Sequence, residues 1–177
     1  KTGAIFNLEK LNWMNGVYIR SLSAQDFVEH VSPFLEAGLP KEVERPISRG
    51  YVEKIAPLIQ ERITTLAEAA GYAEFFFVDE LEYEHALLLG KDMTEGSATE
   101  ALQAALERLE VLHNFDAPSL ENALRPLAGE LGLKTGQLFG LLRVAITGRS
   151  AAPPLFQTME VLGKERCLRR IRAAVEK

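Results

Sequence analysis

Apolar residues recur every three or four positions along nearly the whole chain, and no two segments show the alternation that strands need. Phe27, Val28, Val31, Phe34 and Leu35 follow this rhythm, as do Val52, Ile55, Ile59, Ile63 and Leu66, and Leu102, Ala105, Leu106, Leu109 and Leu112. A period near 3.6 places each set on one helix face, so burying it requires helix-on-helix packing. Heptads and fixed-length repeats are absent. The expected fold is all-α, built as two small helical bundles. A chain of 177 residues with 47% apolar and 25% charged residues is long enough to form such cores.

Punctuation sets the expected elements. Ser23, with an acid at Asp26, starts a helix that runs to Gly38. The next periodic stretch, 47–66, holds Pro57 and should kink or divide there. Phe75, Phe76 and Phe77 cannot share one helix face and are expected to plug between packed elements; a platform for bases is the alternative. The acidic stretch 79–96, broken by Gly90 and Gly96, is the expected domain boundary. Beyond a helix at 99–111, Asp116 caps another, with Pro118 in its first turn and Pro126 bending its middle, until Gly132 stops it. Thr135 caps a helix that Gly148 stops, Pro154 opens a short one ended by Gly163, and 164–175 forms the last. The resulting division is a junction segment at 1–20 and helical subdomains at 21–89 and 90–177.

The chemistry-bearing residues are sparse. The chain has no glycine-rich phosphate loop, no metal-ligand spacing and no nucleophile elbow, and His30, His85 and His113 lie far apart within helical patterns. Glu42/Glu44 and Glu82/Glu84 read as solvated charge. Neither catalytic nor metal-binding residues are expected. Cys167 is the only cysteine, which fits a reducing cytoplasm, and no apolar run suits a membrane span. Lys1 opens the sequence without an initiator methionine and reads as the middle of a longer polypeptide.

A net charge of −5 argues against a nucleic-acid partner, but its distribution does not. Residues 1–116 carry 10 Lys/Arg and 20 Asp/Glu, whereas 117–177 carry 10 and 5, leaving +5 at the carboxy-terminal end. Arg166, Arg169 and Arg170 fall at i, i+3 and i+4 and form a basic stripe. Arg143 and Arg149 bracket a helix end beside a stiff apolar loop of Pro153, Pro154 and Leu155, a combination suited to splayed bases. On residues alone, a solvated basic face with Leu155 packed inward remains the competing reading.

Two stretches carry a family resemblance. Glu9–Arg20 reads Glu-Lys-Leu-Asn-Trp-Met-Asn-Gly-Val-Tyr-Ile-Arg. Leu142–Arg166 contains Leu-Arg-Val-Ala-Ile-Thr-Gly-Arg, then Pro-Pro-Leu-Phe, then Val-Leu-Gly-Lys-Glu-Arg. In that order and separation they resemble the carboxy-terminal, anticodon-binding half of a bacterial-type glutamyl-tRNA synthetase, a class I aminoacyl-tRNA synthetase, with similarity spanning essentially the whole chain.

The resemblance implies a non-catalytic, tRNA-positioning region, with ATP, glutamate and Mg2+ handled by a catalytic half absent from these residues. It places anticodon contacts at Arg125, Arg143, Ala152, Pro153 and Leu155. Ala152 and Pro154 depart from relatives that carry Thr and Gly, so no hydroxyl contact is available at Ala152. Arg62 matches a position facing the third anticodon base, where arginine favours the C of a glutamate anticodon over the G of a glutamine one. Backbone contacts would come from Arg149, Arg166, Arg169 and Arg170, and Trp13 and Tyr18 would pack at the junction with the catalytic half. The partners implied are tRNA(Glu), and tRNA(Gln) in a relaxed enzyme; a cytoplasmic monomer is expected. A helical protein-interaction module is the rival reading.

Overall fold

Side-chain caps fix where most of the helices begin. In a computed structural model describing residues 7–176, nine α-helices form among the described residues: α1 Leu8–Ser21, α2 Ala24–Gly38, α3 Arg49–Ile59, α4 Ala69–Phe77, α5 Glu95–Glu110, α6 Ala117–Glu130, α7 Thr135–Thr147, α8 Leu155–Leu162 and α9 Lys164–Val175. The opening residues 1–6 of the junction segment lie outside the described range. Asn7, Ser23, Ser48, Thr94 and Asp116 each accept a backbone N–H of the first turn, satisfying donors that a helix cannot pair internally. No strand occurs among the described residues, and the all-α expectation holds.

The chain forms two compact units, 1–78 and 79–177. In the first, α2, α3 and α4 pack mutually around Phe27, Val31, Leu35, Ile55, Ile59, Phe75 and Phe76, all fully buried. Gly38 lets the end of α2 approach α4, since a Cβ there would sit 2.6 Å from the Ala70 Cβ. Arg45 then closes that end by donating to the carbonyls of Glu36, Leu39, Pro40 and Val43 at 2.8–3.1 Å. Phe75 and Phe76 are buried at the end of α4, and Phe77 is half-buried, edge-on to Tyr51 at 5.5 Å. The triplet plugs the core, as the sequence suggests, from within a helix.

Several boundaries differ from the sequence reading: α5 starts at Glu95 and not at 99, and Lys134, not Thr135, stands at the N-cap of α7. The helix expected through Leu66 ends at Ile59, two residues beyond Pro57, and a 3-10 turn Leu66–Glu68 leads into α4. Ile63 is nonetheless buried, so its apolar character reports the core and not a helix. The unit boundary also falls at 78/79 and not at 89/90, because the 79–89 segment packs on the second unit. There Tyr83 lies against Gly148, and Asp79 pairs with Arg169 at 2.7 Å.

In the second unit α9 packs against α5, α7 and α8, while α6 packs against α5, α7 and α8. Cys167 lies on the inward face of α9; burial pushes its thiol up to about 12, against the opposing pull of Arg170 and Arg166. No described helix is long and apolar enough to cross a membrane.

Candidate nucleic-acid interface

Arg125 lies on the exposed side of α6, one turn beyond Glu121, and the two form an i, i+4 ion pair. Arg125 Nε donates to Glu121 Oε1 at 3.1 Å, and Nη2 donates to the same oxygen. The guanidinium carbon lies over the ring of Phe139 on α7, 5.6 Å from its centroid. Phe139 in turn meets Phe156 on α8 edge-to-face, with centroids 5.0 Å apart and planes at 84°. Arg143 lies one turn after Phe139 on the same edge of α7. Arg125 and the start of α8 therefore meet at one ring, and Arg143 follows one turn further along α7.

The local sequence explains how the loop before α8 is held. Gly148 ends α7 in the left-handed region at φ 70°, where its N–H donates to the Val144 carbonyl at 2.7 Å. Any side chain there would be strained, and its Cβ would meet Tyr83 Cδ1 at 3.3 Å. The buried Thr147 hydroxyl donates to the Arg143 carbonyl at 2.7 Å and accepts the Arg149 N–H at 3.2 Å. Arg143 and Arg149 are thus tied through their backbones to one buried hydroxyl, and both are half-buried.

The loop tip differs from the sequence expectation of an exposed apolar surface. Pro153 is buried and Leu155 is only 5% exposed, so Pro154 presents the outer surface while Ala152 is half-buried. The reason is local. Pro154 caps α8, and the first turn of that helix turns Leu155 and Phe156 toward the bundle.

The basic stripe on α9 also divides. Arg170 is buried and donates from Nη1 to the Ile146 carbonyl at 2.6 Å, which removes it from any exposed phosphate-binding face. It shares the inward face with Cys167, Ile171 and Ala174. Arg169 is exposed and Arg166 half-buried, and both pair with Asp79, at 2.7 and 3.6 Å.

Arg62 belongs to the first unit. It lies in the turn after α3, and not within a helix, with its backbone N–H bound to Ile59 O at 2.9 Å. Its exposed guanidinium makes no hydrogen bond or ion pair to any described residue. Phe139 and Phe156 were not singled out from the sequence. The available signal was Phe139 standing beside the Leu138, Leu141, Leu142 stripe, one turn before an arginine. No group of His, Cys, Asp and Glu able to hold a metal ion occurs among the described residues.

Residues 26–175 match the family described as "Anticodon binding domain". The chain belongs to that family. This anticodon binding domain is 54% identical over 175 residues to the glutamate–tRNA ligase of Dehalococcoides mccartyi strain CBDB1, covering 99% of this chain and 36% of the relative. It is 49% identical over 173 residues to that of Roseiflexus castenholzii strain DSM 13941 / HLO8, covering 97% and 34%. Among solved structures, it resembles a glutamate tRNA ligase from Elizabethkingia meningosepticum CCUG26117 in complex with its amino acid. The TM-score is 0.84 at 26% identity, over 100% of this chain and 34% of the other. The domain thus spans about a third of the length of the curated relatives it matches.

Proposed function

We propose that this domain is the anticodon-recognition region of a glutamate–tRNA ligase and binds tRNA(Glu). The observation that carries the reading is Arg125 over Phe139, which meets Phe156 in the first turn of α8, within a chain matched to the anticodon-binding family. A cation held over an aromatic ring that leads to a proline-stiffened loop suits unstacked bases, which proteins read by stacking and arginine hydrogen bonds. Arg125, Arg143, Ala152, Pro153 and Leu155 form or shape this site. Arg149 and Arg169 supply backbone attraction, which fixes position without carrying sequence information.

Arg62 would read the third anticodon base. Its exposed guanidinium presents donors to the acceptors of cytosine and meets the amino group of guanine unfavourably. The same domain with relaxed discrimination would accept tRNA(Gln). Attachment of glutamate, with ATP and Mg2+, belongs to the remainder of such a ligase. The exposed apolar side chains of α1, namely Leu8, Leu11, Trp13, Met14, Val17 and Tyr18, support a junction role for that helix.

The test is binding to a glutamate anticodon stem-loop at low and moderate salt, beside a loop whose third anticodon C is replaced by G. Preference for C that Arg62→Gln reduces supports anticodon reading and discrimination together. Equal binding of both loops retains the first and removes the second. Failure to bind either loop or full-length tRNA would overturn the RNA reading in favour of a protein-interaction module.

A further inference from the structure

The ring of Phe139 touches two groups that belong to different helices. Arg125 of α6 lies over its face, and Phe156, second residue of α8, meets it edge-on. An exposed arginine on a helix surface ordinarily samples many rotamers, and ordering it on binding costs entropy. Here the guanidinium is held from two sides. Glu121 takes Nε and Nη2, and the quadrupole of Phe139 attracts the cation above its ring. Glu121 sets a direction along α6 only, whereas Phe139 refers the arginine to the next two helices.

We propose that Phe139 is a positioning residue of the RNA interface: it fixes how Arg125 presents its guanidinium and keys that orientation to the start of α8. The inference rests on the reading of Arg125 as an RNA contact. Its consequence is that the basic group and the Pro154 tip keep one spacing before RNA arrives, so less order has to be imposed on binding. An isolated surface arginine would have no such link to the loop.

The experiment measures affinity for the glutamate anticodon stem-loop with Arg125→Ala, Phe139→Leu, the double variant and Phe139→Tyr, each alongside its thermal midpoint. Phe139→Met is carried beside Phe139→Leu, so that a folding defect in one does not decide the outcome. Phe139→Leu should weaken binding about three- to fivefold while Arg125 is present, and add nothing in the Arg125→Ala background. Phe139→Tyr keeps a ring and should bind like the parent. Equal losses from Phe139→Leu in both backgrounds, or no loss at all, would overturn the positioning role while leaving Arg125 as a contact. An Arg125→Ala variant that binds normally would instead remove the contact itself, and the inference with it.

Discussion

The first and last described helices are of similar length and opposite construction. On α1, only Gly16 and Ile19 are buried, and six large apolar side chains face outward, Trp13 at 66% and Tyr18 at 63% exposure. On α9, Cys167, Leu168, Arg170, Ile171 and Ala174 are buried, and Arg166, Arg169 and Arg172 are matched to Asp79 and Glu110. The contrast shows that local completeness is not set by helix length or amphipathicity. Helix α9 is finished by its own unit. Helix α1 is anchored chiefly by polar bonds: Asn15 Nδ2 donates to Thr64 O at 2.5 Å, and Gln60 Nε2 donates to the Ile19 and Leu22 carbonyls at 2.9 and 3.0 Å. Its apolar surface faces solvent.

The largest expected effect tests whether α9 is closed. Arg170→Met keeps the aliphatic stem but leaves the Ile146 carbonyl without that donor, and should lower unfolding stability by about 2–3 kcal/mol. Chemical denaturation measures this, and a change below about 0.5 kcal/mol would mean that the buried arginine is not a structural member of the core.

A smaller effect belongs to α1. Its anchor, Thr64, is held by Glu68, which accepts from the Thr64 N–H at 3.1 Å and from the Thr64 and Thr65 hydroxyls at 2.8 and 2.9 Å. Partial desolvation raises the Glu68 carboxyl, but these hydrogen bonds together outweigh it and hold the group below its ordinary 4.5. A depressed folded value means the contribution is complete above the ordinary value and is lost as pH falls through the folded one. Glu68→Gln should cost about 1 kcal/mol or less, given solvent screening, and flatten that acid-side dependence. Hydrogen exchange should report the loosening at α1 and leave α9 protected; equal loss at both helices would erase the contrast.

Asp79→Asn should barely alter stability, by less than about 0.5 kcal/mol, since the carboxylate is 72% exposed. By releasing Arg169 it should raise stem-loop affinity about twofold at low salt, an increase that disappears at high salt. Unchanged affinity would remove Arg169 from the set of backbone contacts. The smallest stability effect is expected from Trp13→Ser with Tyr18→Ser, within about 0.5 kcal/mol because both side chains face solvent. Chemical denaturation checks this, and a larger loss would mean that the two side chains support the first unit.

Legibility in the sequence followed the kind of signal. Elements with a cap at one end and a glycine stop at the other, such as α2 and α6, were readable almost to the residue, because each cap has a local physical cause. The break after Ile59 was hidden, since Ile63 and Leu66 continue the helical period while Ile63 is buried from an irregular segment. Arg170 shows a second limit: i, i+3, i+4 spacing identifies a shared face but not which side meets the core. The apolar neighbours Cys167, Ile171 and Ala174 carried that information. Arg125 is legible only through family resemblance and Arg143 also through its place at a helix end, whereas Phe139 carries no sequence signal of its own and gains its role from the two partners around it.

One consequence lies in two residues that occur once each. The chain contains a single tryptophan and a single cysteine, and Trp13 sits on α1 while Cys167 sits on α9. The unmodified polypeptide therefore carries an optical reporter in one unit and a chemical one in the other. Indole emission tracks whatever covers α1. Thiol labelling, blocked while Cys167 is buried with its pKa near 12, proceeds only when the second unit opens. Recorded together during binding or unfolding, the two signals time the two halves independently, without introducing a probe.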